Sequence, residues 1–369
     1  MAGDDYRIRP YRPRDRAGFL SLYETVWGHR KSRDWFEWRF QSNPYSDRVE
    51  MVVAETDDTM VGVEPLLPFR LRVGDRRLAA YQPVDWLVHP DHRRRGLFTR
   101  MTERLLARYA DDAALLFNFP TDALLSGLES FDWRVVGDLP TSYRVQNPRP
   151  LVADAVGPRA EKALSPAIRV ASAATKRGLA LLDRYNVPAT DYTVEAHDRL
   201  PVETVERLYA GTAPTAIHVP RDEPYLAWRF DNPHWETTTY VATADGDPVG
   251  SIIAATERRD DCTTAMVLDC QPMCDDRADV IEPLLVRFVR DNRDADVLKA
   301  PGWYAPRLRR RYGFWHDSAL AVSRFPTISR ATVRPLVEDL DDADAWLLDG
   351  RRLTDRASWR LTLADLDIE

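Results

Sequence analysis

The chain has 369 residues, about twice the length of a typical single domain, so its length favours two domains. Hydrophobic residues make up 44% of the chain and aromatic residues 10%, which argues against a disordered protein because this composition can fill packed cores. The 51 lysines and arginines are outnumbered by 58 aspartates and glutamates, and the resulting charge of −7 argues against a protein that binds nucleic acid or anionic membranes.

The amino terminus and the cysteines predict a reduced, cytoplasmic protein. The first residues lack the apolar core of a signal peptide, and no apolar run approaches the ~20 residues that span a bilayer. Cys262, Cys270 and Cys274 are too few for a disulfide framework, and no nearby histidine completes a zinc-ligand set. We therefore expect three free thiols and no metal site.

The first part of the chain combines many strand patterns with few helix patterns. Apolar residues recur at helical spacing in 14–27 and 97–109, and the hairpin signal Gly74-Asp75 separates two strand patterns. The predicted order is a strand at 6–9, a helix at 14–27, strands at 49–54, 59–67, 69–73, 77–81 and 84–88, a helix at 97–109, a strand at 115–119, a helix at 121–128, and strands near 133–136 and 142–145. This pattern predicts a mixed sheet with few helices.

The chain repeats itself once, at a long period. Trp38-Arg39-Phe40 with Asn43-Pro44 returns as Trp228-Arg229-Phe230 with Asn232-Pro233, 190 and 189 residues later. Two further pairs keep the same order: Val61-Gly62 with Val249-Gly250, and Phe131-Asp132-Trp133 with Tyr312-Gly313-Phe314. A period this long indicates duplication of a domain rather than a solenoid. We interpret Trp-Arg-Phe as a helix end whose rings enter the core, with Asn-Pro as the stop signal.

These landmarks predict four segments. Residues 1–150 form the first domain, 151–190 a connector, 191–325 the second domain and 326–369 a carboxy-terminal tail. The connector is predicted to be helical over 160–185, with an interruption at Pro166. The acidic stretch 338–342 of the tail is expected to be solvated.

The stretch from Val88 to Thr99 has the clearest chemical signal. It reads VHPDHRRRGLFT, where a strand ends at Val88 and a helix begins near Gly96. A helix amino terminus presents unpaired N–H groups and a partial positive charge, and the adjacent arginines add to it. Because Gly96 has no Cβ, an anion can approach the backbone closely. The pattern predicts a pyrophosphate-binding loop.

His-Pro-Asp-His-Arg-Arg-Arg-Gly-Leu-Phe, between a strand and an amphipathic helix, resembles the acetyl-CoA-binding motif of the GNAT superfamily of N-acetyltransferases. The consensus of that motif is Gln/Arg-x-x-Gly-x-Gly/Ala. Arg93 and Gly96 match it, whereas Phe98 stands where a small residue is expected. The resemblance covers residues 6–146 and, more weakly, 192–325. It implies an α/β fold with mixed (α+β) sheets, arranged as two tandem GNAT-like domains joined by a helical connector.

The resemblance also implies an activity and a site. Acetyl would pass from acetyl-CoA, the cosubstrate, to a primary amine of a small molecule or peptide by direct attack. The candidate coenzyme-binding residues are Trp86, Leu87, Val88, Arg93, Arg94, Arg95, Gly96, Leu97, Phe98, Thr99 and Asn118. A backbone N–H of the strand ending at Val88 is expected to stabilise the oxyanion. Pro83 predicts a bulge in that strand.

The proton transfers need a base and an acid. Asp85 and Glu64, on neighbouring strands, are the candidate bases for the amine. These enzymes usually protonate the departing thiolate with a tyrosine after the motif helix, and the segment 121–128 has none. Ser126 is the candidate acid, with Tyr143 as a more distant alternative.

The second copy has lost the basic loop. At the equivalent position the sequence reads DCQPMCDDRAD over 269–279, with no glycine and with three aspartates around Arg277. Carboxylates would repel a pyrophosphate. We therefore predict that the second domain binds no coenzyme and instead supports the structure or shapes the substrate site.

Three alternatives use the same fold. A non-catalytic acyl-CoA sensor or scaffold is favoured by Phe98 and by the missing tyrosine. An aminoacyl transferase acting on charged tRNA would need a basic groove, for which 307–311 is the candidate; we interpret it as a surface helix end. The aminoglycoside-modifying tandem acetyltransferases carry a further sterol-carrier-like domain, for which the 44 residues after Phe325 are too few.

Overall fold

Two mixed β-sheets form the frame of the protein, one for each copy of the repeat. The computed structural model describes residues 6–150, 158–188, 190–259, 262–274, 277–302, 306–319 and 329–368. The predicted α/β architecture with two tandem mixed sheets is confirmed.

The first sheet is built mainly from the first half of the chain. Its strands are β1 (Arg7–Pro10), β2 (Met51–Thr56), β3 (Thr59–Val73), β4 (Arg76–Pro83), β5 (Leu87–Val88), β6 (Leu115–Asn118), β7 (Arg134–Leu139) and β15 (Ser329–Pro335). They lie in the order β1, β2, β3, β4, β6, β15, β7, and β5 pairs with β3.

The second sheet repeats this arrangement. Its strands are β8 (Thr141–Val145), β9 (Thr193–His197), β10 (Glu236–Ala244), β11 (Asp247–Arg259), β12 (Cys262–Gln271), β13 (Val297–Pro301) and β14 (Trp315–His316), in the order β14, β8, β13, β12, β11, β10, β9. A separate hairpin joins β16 (Leu347–Leu348) and β17 (Arg351–Arg352).

Helices cover the faces of the two sheets. They are α1 (Arg16–Trp27), α2 (Arg33–Phe36, continued by a π-helical turn at Glu37–Gln41), α3 (Leu97–Tyr109), α4 (Asp122–Glu129), α5 (Pro158–Tyr185), α6 (Val202–Thr212), α7 (Glu223–Arg229), α8 (Ala278–Asp291) and α9 (Pro306–Arg311). The connector helix α5 runs through Pro166 without the predicted interruption, although proline lacks the N–H of a helical hydrogen bond. Among the described residues, no helix has the length and apolarity needed to cross a membrane.

The two sheets exchange one strand each, which differs from the prediction. The strand at 142–145 was predicted to complete the first unit, but β8 pairs with β13 and β14 of the second sheet. In return, β15 of the predicted tail lies between β6 and β7 of the first sheet. The short connection excludes a β7–β8 hairpin, because β7 extends to Leu139, only Pro140 separates it from β8, and a hairpin needs a loop of at least two residues. The sheets therefore do not end at residues 150 and 325.

The carboxy-terminal segment is part of the core and not a peripheral tail. Trp346, Trp359 and Leu361 are buried in the same apolar cluster as Trp38 and Trp228, between the two sheets. The acidic stretch is solvated as expected, since Glu338, Asp339, Asp341 and Asp342 are all exposed. This segment thus supplies both a strand and apolar side chains to the rest of the fold.

The two Trp-Arg-Phe motifs contact each other through a reciprocal pair of hydrogen bonds. Trp38 Nε1 donates to the carbonyl of Trp228, and Trp228 Nε1 donates to the carbonyl of Trp38, each at 2.8 Å. The indole rings are stacked with their centroids 6.3 Å apart. The expected packing role of the rings is confirmed, and their partner is the other copy of the motif.

Candidate active site

A β-bulge interrupts the strand that leads to the basic loop. Pro83 is opposite Leu66, and the next pair joins Leu87 to Val63, so two residues of β3 are opposed by three residues of the other strand. Asp85, in the middle of the bulge, has a left-handed backbone with φ of 47°. The bulge predicted from Pro83 is therefore present, and it re-aims the strand that follows.

The bulge determines the direction of the Val88 amide. His89 N donates to the carbonyl of Val61 at 2.8 Å, so in this antiparallel ladder the amide of the preceding residue points to the opposite side, away from β3. On that side β4 pairs with β6 only through Ala80–Leu115 and Tyr81–Leu116. The first sheet thus opens towards its carboxyl edge beside Val88.

The basic loop ends in an uncapped helix. Gly96 is the N-cap of α3, has φ of 73° and provides no side-chain cap, so the amides of the first turn, including those of Leu97 and Thr99, have no partner from a capping side chain. A Cβ placed on Gly96 would have no atom within 4 Å. The helix end therefore faces open space in which an anion can reach the backbone.

Three arginines and two histidines surround this helix end. Arg93, Arg94 and Arg95 are exposed, and Arg94 has φ of 60°. Arg93 Nε donates to the carbonyl of Val88 at 3.1 Å, which ties the loop to the strand after the bulge. His92 Nδ1 lies 2.9 Å from the hydroxyl of Tyr6, and its ring packs against that of His89. The arginines make this edge of an acidic protein locally basic.

Phe98 does not enter the anion space. Its ring packs against Trp86, with centroids 5.9 Å apart, and against Phe131 at 6.0 Å. Gly127 of α4 makes room for it, because a Cβ there would lie only 3.0 Å from the ring. The large residue at this motif position is thus accommodated between α3 and α4.

The other candidate residues are spread over the two sheets. Asn118 is buried at the end of β6, where Oδ1 accepts a hydrogen bond from Thr332 of β15. Ser126 is exposed on α4. Tyr143 lies on β8 in the second sheet, and burial together with Asp317 raises its pKa to about 12. The structure therefore removes Tyr143 from the first domain, in which the prediction had placed it.

Asp85 is held by an arginine that the sequence did not single out for a chemical role. Arg39 Nε donates to Asp85 Oδ2 at 2.9 Å, and Arg39 also forms an ion pair with Asp367 near the carboxyl terminus. Arg39 is only 1% exposed, so this ion pair is shielded from water. The only signal in the sequence was the repeated Trp-Arg-Phe motif, which we had interpreted as packing.

Glu64 is buried beneath α3 with 0% exposure. Its Oε1 lies 3.0 Å from Thr102 Oγ1. The same hydroxyl oxygen lies 2.9 Å from the Phe98 carbonyl oxygen, so two acceptors share its single proton. No hydrogen-bond partner of Oε2 exists among the described residues. Burial raises the pKa of Glu64 well above its ordinary value, which favours the neutral acid. Because a protonated carboxyl cannot accept another proton, this geometry argues against Glu64 as the base.

Replacing Glu64 with glutamine is expected to stabilise the protein at neutral pH. The pKa of Glu64 is raised in the folded state. Its contribution to the free energy of unfolding is therefore fully present below the unfolded-state pKa of about 4.3 and is lost as the pH rises towards the folded-state pKa. Across that window the free energy of unfolding of the wild type should fall by about 1.4 kcal/mol per pH unit relative to Glu64→Gln. Urea unfolding of both proteins from pH 4 to 8 measures this difference.

Glu55 provides a matched control of opposite sign. Its carboxylate accepts hydrogen bonds from Arg9, and this pairing lowers the pKa of Glu55. Glu55→Gln should therefore cost stability at neutral pH, and the cost should shrink as the pH falls. A constant difference between wild type and Glu64→Gln at every pH would contradict a neutral Glu64.

The helix end in the second sheet is closed by a carboxylate. Asp279, in the first turn of α8, accepts hydrogen bonds from Tyr192 Oη at 2.9 Å and from Arg277 Nε at 3.2 Å. Hydrogen bonding from Arg277 lowers the pKa of Asp279, which keeps it anionic. Asp275 and Asp276, which the sequence analysis also invoked, lie outside the described residues.

The basic run at 307–311 is not a continuous charged surface. Arg309, in its centre, is buried and donates hydrogen bonds to Ser142 Oγ and to the carbonyl of Gly302. Burial lowers the pKa of Arg309 to about 10. The expectation of a surface helix end holds for Arg307 and Arg310, which are exposed, and is wrong for Arg309.

The described residues contain no group of histidine, cysteine or acidic side chains that could hold a metal ion.

Comparisons with known proteins agree with this architecture. Residues 7–136 match the family model described as the acetyltransferase (GNAT) domain. No curated protein matches the sequence. A probable N-acyltransferase from Enterococcus faecalis V583 is similar in structure, with a TM-score of 0.61, 10% identity, and coverage of 90% of this chain and 72% of that one.

Two further solved structures share the fold. A GCN5-related N-acetyltransferase from Anabaena variabilis has a TM-score of 0.59 and 12% identity, with coverage of 90% of this chain and 73% of that one. A tandem GNAT protein from the clavulanic acid biosynthesis pathway has a TM-score of 0.54 and 12% identity, with coverage of 91% and 100%. The family match covers the sheet that carries the bulge, the basic loop and the uncapped helix end, and the likeness in fold extends over both halves. Residues 7–136 thus match the GNAT acetyltransferase domain, and the chain shares the fold of a tandem GNAT protein.

Proposed function

We propose that the protein is an acetyl-CoA-dependent N-acetyltransferase whose coenzyme site lies in the first domain. The observation that carries this proposal is the open amino terminus of α3, which directly follows the bulged strand and is surrounded by Arg93, Arg94 and Arg95. The diphosphate of the coenzyme would accept hydrogen bonds from the first-turn amides. Its pantetheine would pass along Trp86–Val88, where the sheet opens.

The transfer step follows from the direction of the Val88 amide. The amine nitrogen gives up a proton to the base and attacks the thioester carbonyl carbon, a C–N bond forms, the C–S bond breaks, and the departing sulfur takes up a proton. The Val88 N–H points into the opening of the sheet and would donate to the developing oxyanion. Of the two candidate bases we retain Asp85, since Glu64 is buried under α3 and favours its neutral form.

One acetyl-CoA is expected to bind per chain. The first helix end is open and basic, whereas the second carries Asp279 in its first turn, hydrogen-bonded to Tyr192 and Arg277. A fixed carboxylate at that position would repel the diphosphate. Isothermal titration calorimetry of the full chain with acetyl-CoA measures the stoichiometry, and a value of two would contradict a coenzyme-free second domain.

An enzyme and an acyl-CoA sensor differ in one measurable property. An enzyme releases free CoA thiol when amines are added to the acetyl-CoA complex, whereas a sensor binds acetyl-CoA without turnover. Release is followed with a thiol reagent, using panels of polyamines, aminoglycosides, amino sugars and peptides as acceptors. Tight binding without thiol release on any of these amines would favour the sensor.

A further inference from the structure

The last residues of the described chain connect the two sheets. We name residues 362–368 the carboxy-terminal strap. Within it, the carboxylate of Asp365 accepts hydrogen bonds from Arg221 at 2.9 Å and from Tyr225 at 2.9 Å, both in the second half of the chain. The backbone carbonyl of Asp365 accepts one from Gln82 Nε2 of the first sheet, also at 2.9 Å. A single residue of the strap is thus bonded both to Gln82 of the first sheet and to two side chains of the second half of the chain.

The strap is anchored firmly in the second half. Arg221 pairs with Asp269 of β12 as well as with Asp365, and all three side chains are 0% exposed. Arg229 donates to the carbonyls of Ala364 at 2.6 Å and Leu366 at 3.1 Å. Breaking one partner of a buried ion pair leaves an uncompensated charge, so the second half holds this segment in a defined place.

Asp367 of the strap is linked through Arg39 to the bulge of the first sheet. Arg39, on the π-helical turn after α2, forms ion pairs with both Asp367 of the strap and Asp85 of the bulge. Asp85 has a left-handed backbone, which aspartate adopts more readily than most residues other than glycine, and its carboxylate is fixed in the bulge by the ion pair with Arg39. Arg39 supplies a contact that holds it, two residues before the Leu87–Val88 strand.

We infer that Arg39 is a positioning residue for acyl transfer, because it joins Asp367 of the strap to Asp85 of the bulge and thereby orients the Val88 amide. This inference rests on the proposed function for its kinetic consequence. It also gives the coenzyme-free second domain a role, since that domain anchors the strap through Arg221 and Arg229.

The test compares Asp367→Asn and Arg39→Lys with Asp183→Asn. Asp183 is the matched control, because it pairs with Arg144 on β8 of the second sheet; its side chain is 37% exposed and that of Asp367 25%, and each arginine is 1% exposed. Lysine keeps the charge of Arg39 but cannot hold two carboxylates in the fork geometry of a guanidinium. We expect kcat to fall about tenfold in Asp367→Asn and in Arg39→Lys, with the Kd for acetyl-CoA within about twofold of wild type, and no change of kcat in the control.

Two further readouts separate positioning from a general loss of stability. The pH dependence of kcat should keep its shape in Asp367→Asn, whereas loss of a base would remove its acidic limb. Hydrogen exchange of the peptide covering 84–88 should become faster in Asp367→Asn and stay unchanged in Asp183→Asn. Unchanged exchange together with unchanged kcat would overturn the inference. Failure of the wild type to bind acetyl-CoA would instead overturn the proposed function, and the exchange measurement would still test the role of Arg39.

Discussion

Replacing Gly96 with glutamate is expected to abolish measurable acetyl-CoA binding. The residue has φ of 73° at the N-cap of α3, where any other side chain is strained, and the space beside it is open. A carboxylate in that space would stand where the diphosphate must lie and would repel it. Strain and repulsion together should weaken binding by at least about a hundredfold. Titration calorimetry of wild type and variant measures the loss.

Two controls separate the causes of this loss. Gly96→Ala adds the backbone strain without the charge and should weaken binding less. Gly28→Glu introduces the same residue at another left-handed glycine, with φ of 76° and no atom within 4 Å of the added Cβ, at the end of α1. It should cost stability and leave acetyl-CoA affinity unchanged. An unchanged affinity of Gly96→Glu would show that the coenzyme lies elsewhere.

The second large effect is expected from separating the halves: residues 1–150 alone should not fold into a stable monomer. This fragment lacks β15, which lies between β6 and β7 in the intact chain, so the edges of both strands would be exposed to association. It also keeps β8 without the sheet that β8 belongs to. Circular dichroism should show no cooperative unfolding transition for the fragment, and analytical ultracentrifugation should show that it aggregates.

A truncation at residue 325 tests the same exchange from the other side. It removes β15 together with Trp346, Trp359 and Leu361 of the shared core. Co-expression with the fragment 326–369 should restore soluble protein, because the missing strand and side chains are then available in trans. The prediction that the separated halves do not fold would be contradicted by a cooperative unfolding transition in the isolated fragment 1–150.

The elements and the loop could be predicted because their signals are local. The periodicity of Leu97, Met101 and Leu105 defines α3 within one stretch of sequence, and all three are buried in the structure. Pro83 predicts the bulge, because proline has no N–H to donate to the hydrogen bonds between strands. Gly96 is expected at this helix end because it has no Cβ, and its φ of 73° is a second reason for glycine that the structure adds.

The partners of several elements could not be predicted in this way. Alternating residues mark 142–145 as a strand, yet nothing in that segment states which sheet it joins. Arg39 and Arg229 occupy equivalent places in the repeat, but Arg39 meets two carboxylates whereas Arg229 meets backbone carbonyls of the strap. The partners in the strap are more than 130 positions away in the chain, and Asp85 is 46 positions from Arg39.

The two-copy organisation, the strand–loop–helix with Gly96 and the acidic residues near Asp279 that replace it in the second copy can all be recognised from the sequence. Hydrophobic periodicity, turn chemistry and charge act over a few residues, so one stretch is enough to express them. The exchange of β8 and β15, the burial that favours a neutral Glu64, and the link from Arg39 to Asp85 and Asp367 are visible only in the folded chain. Strand pairing, desolvation and buried ion pairs depend on what the folded chain brings alongside, and those neighbours are distant in sequence.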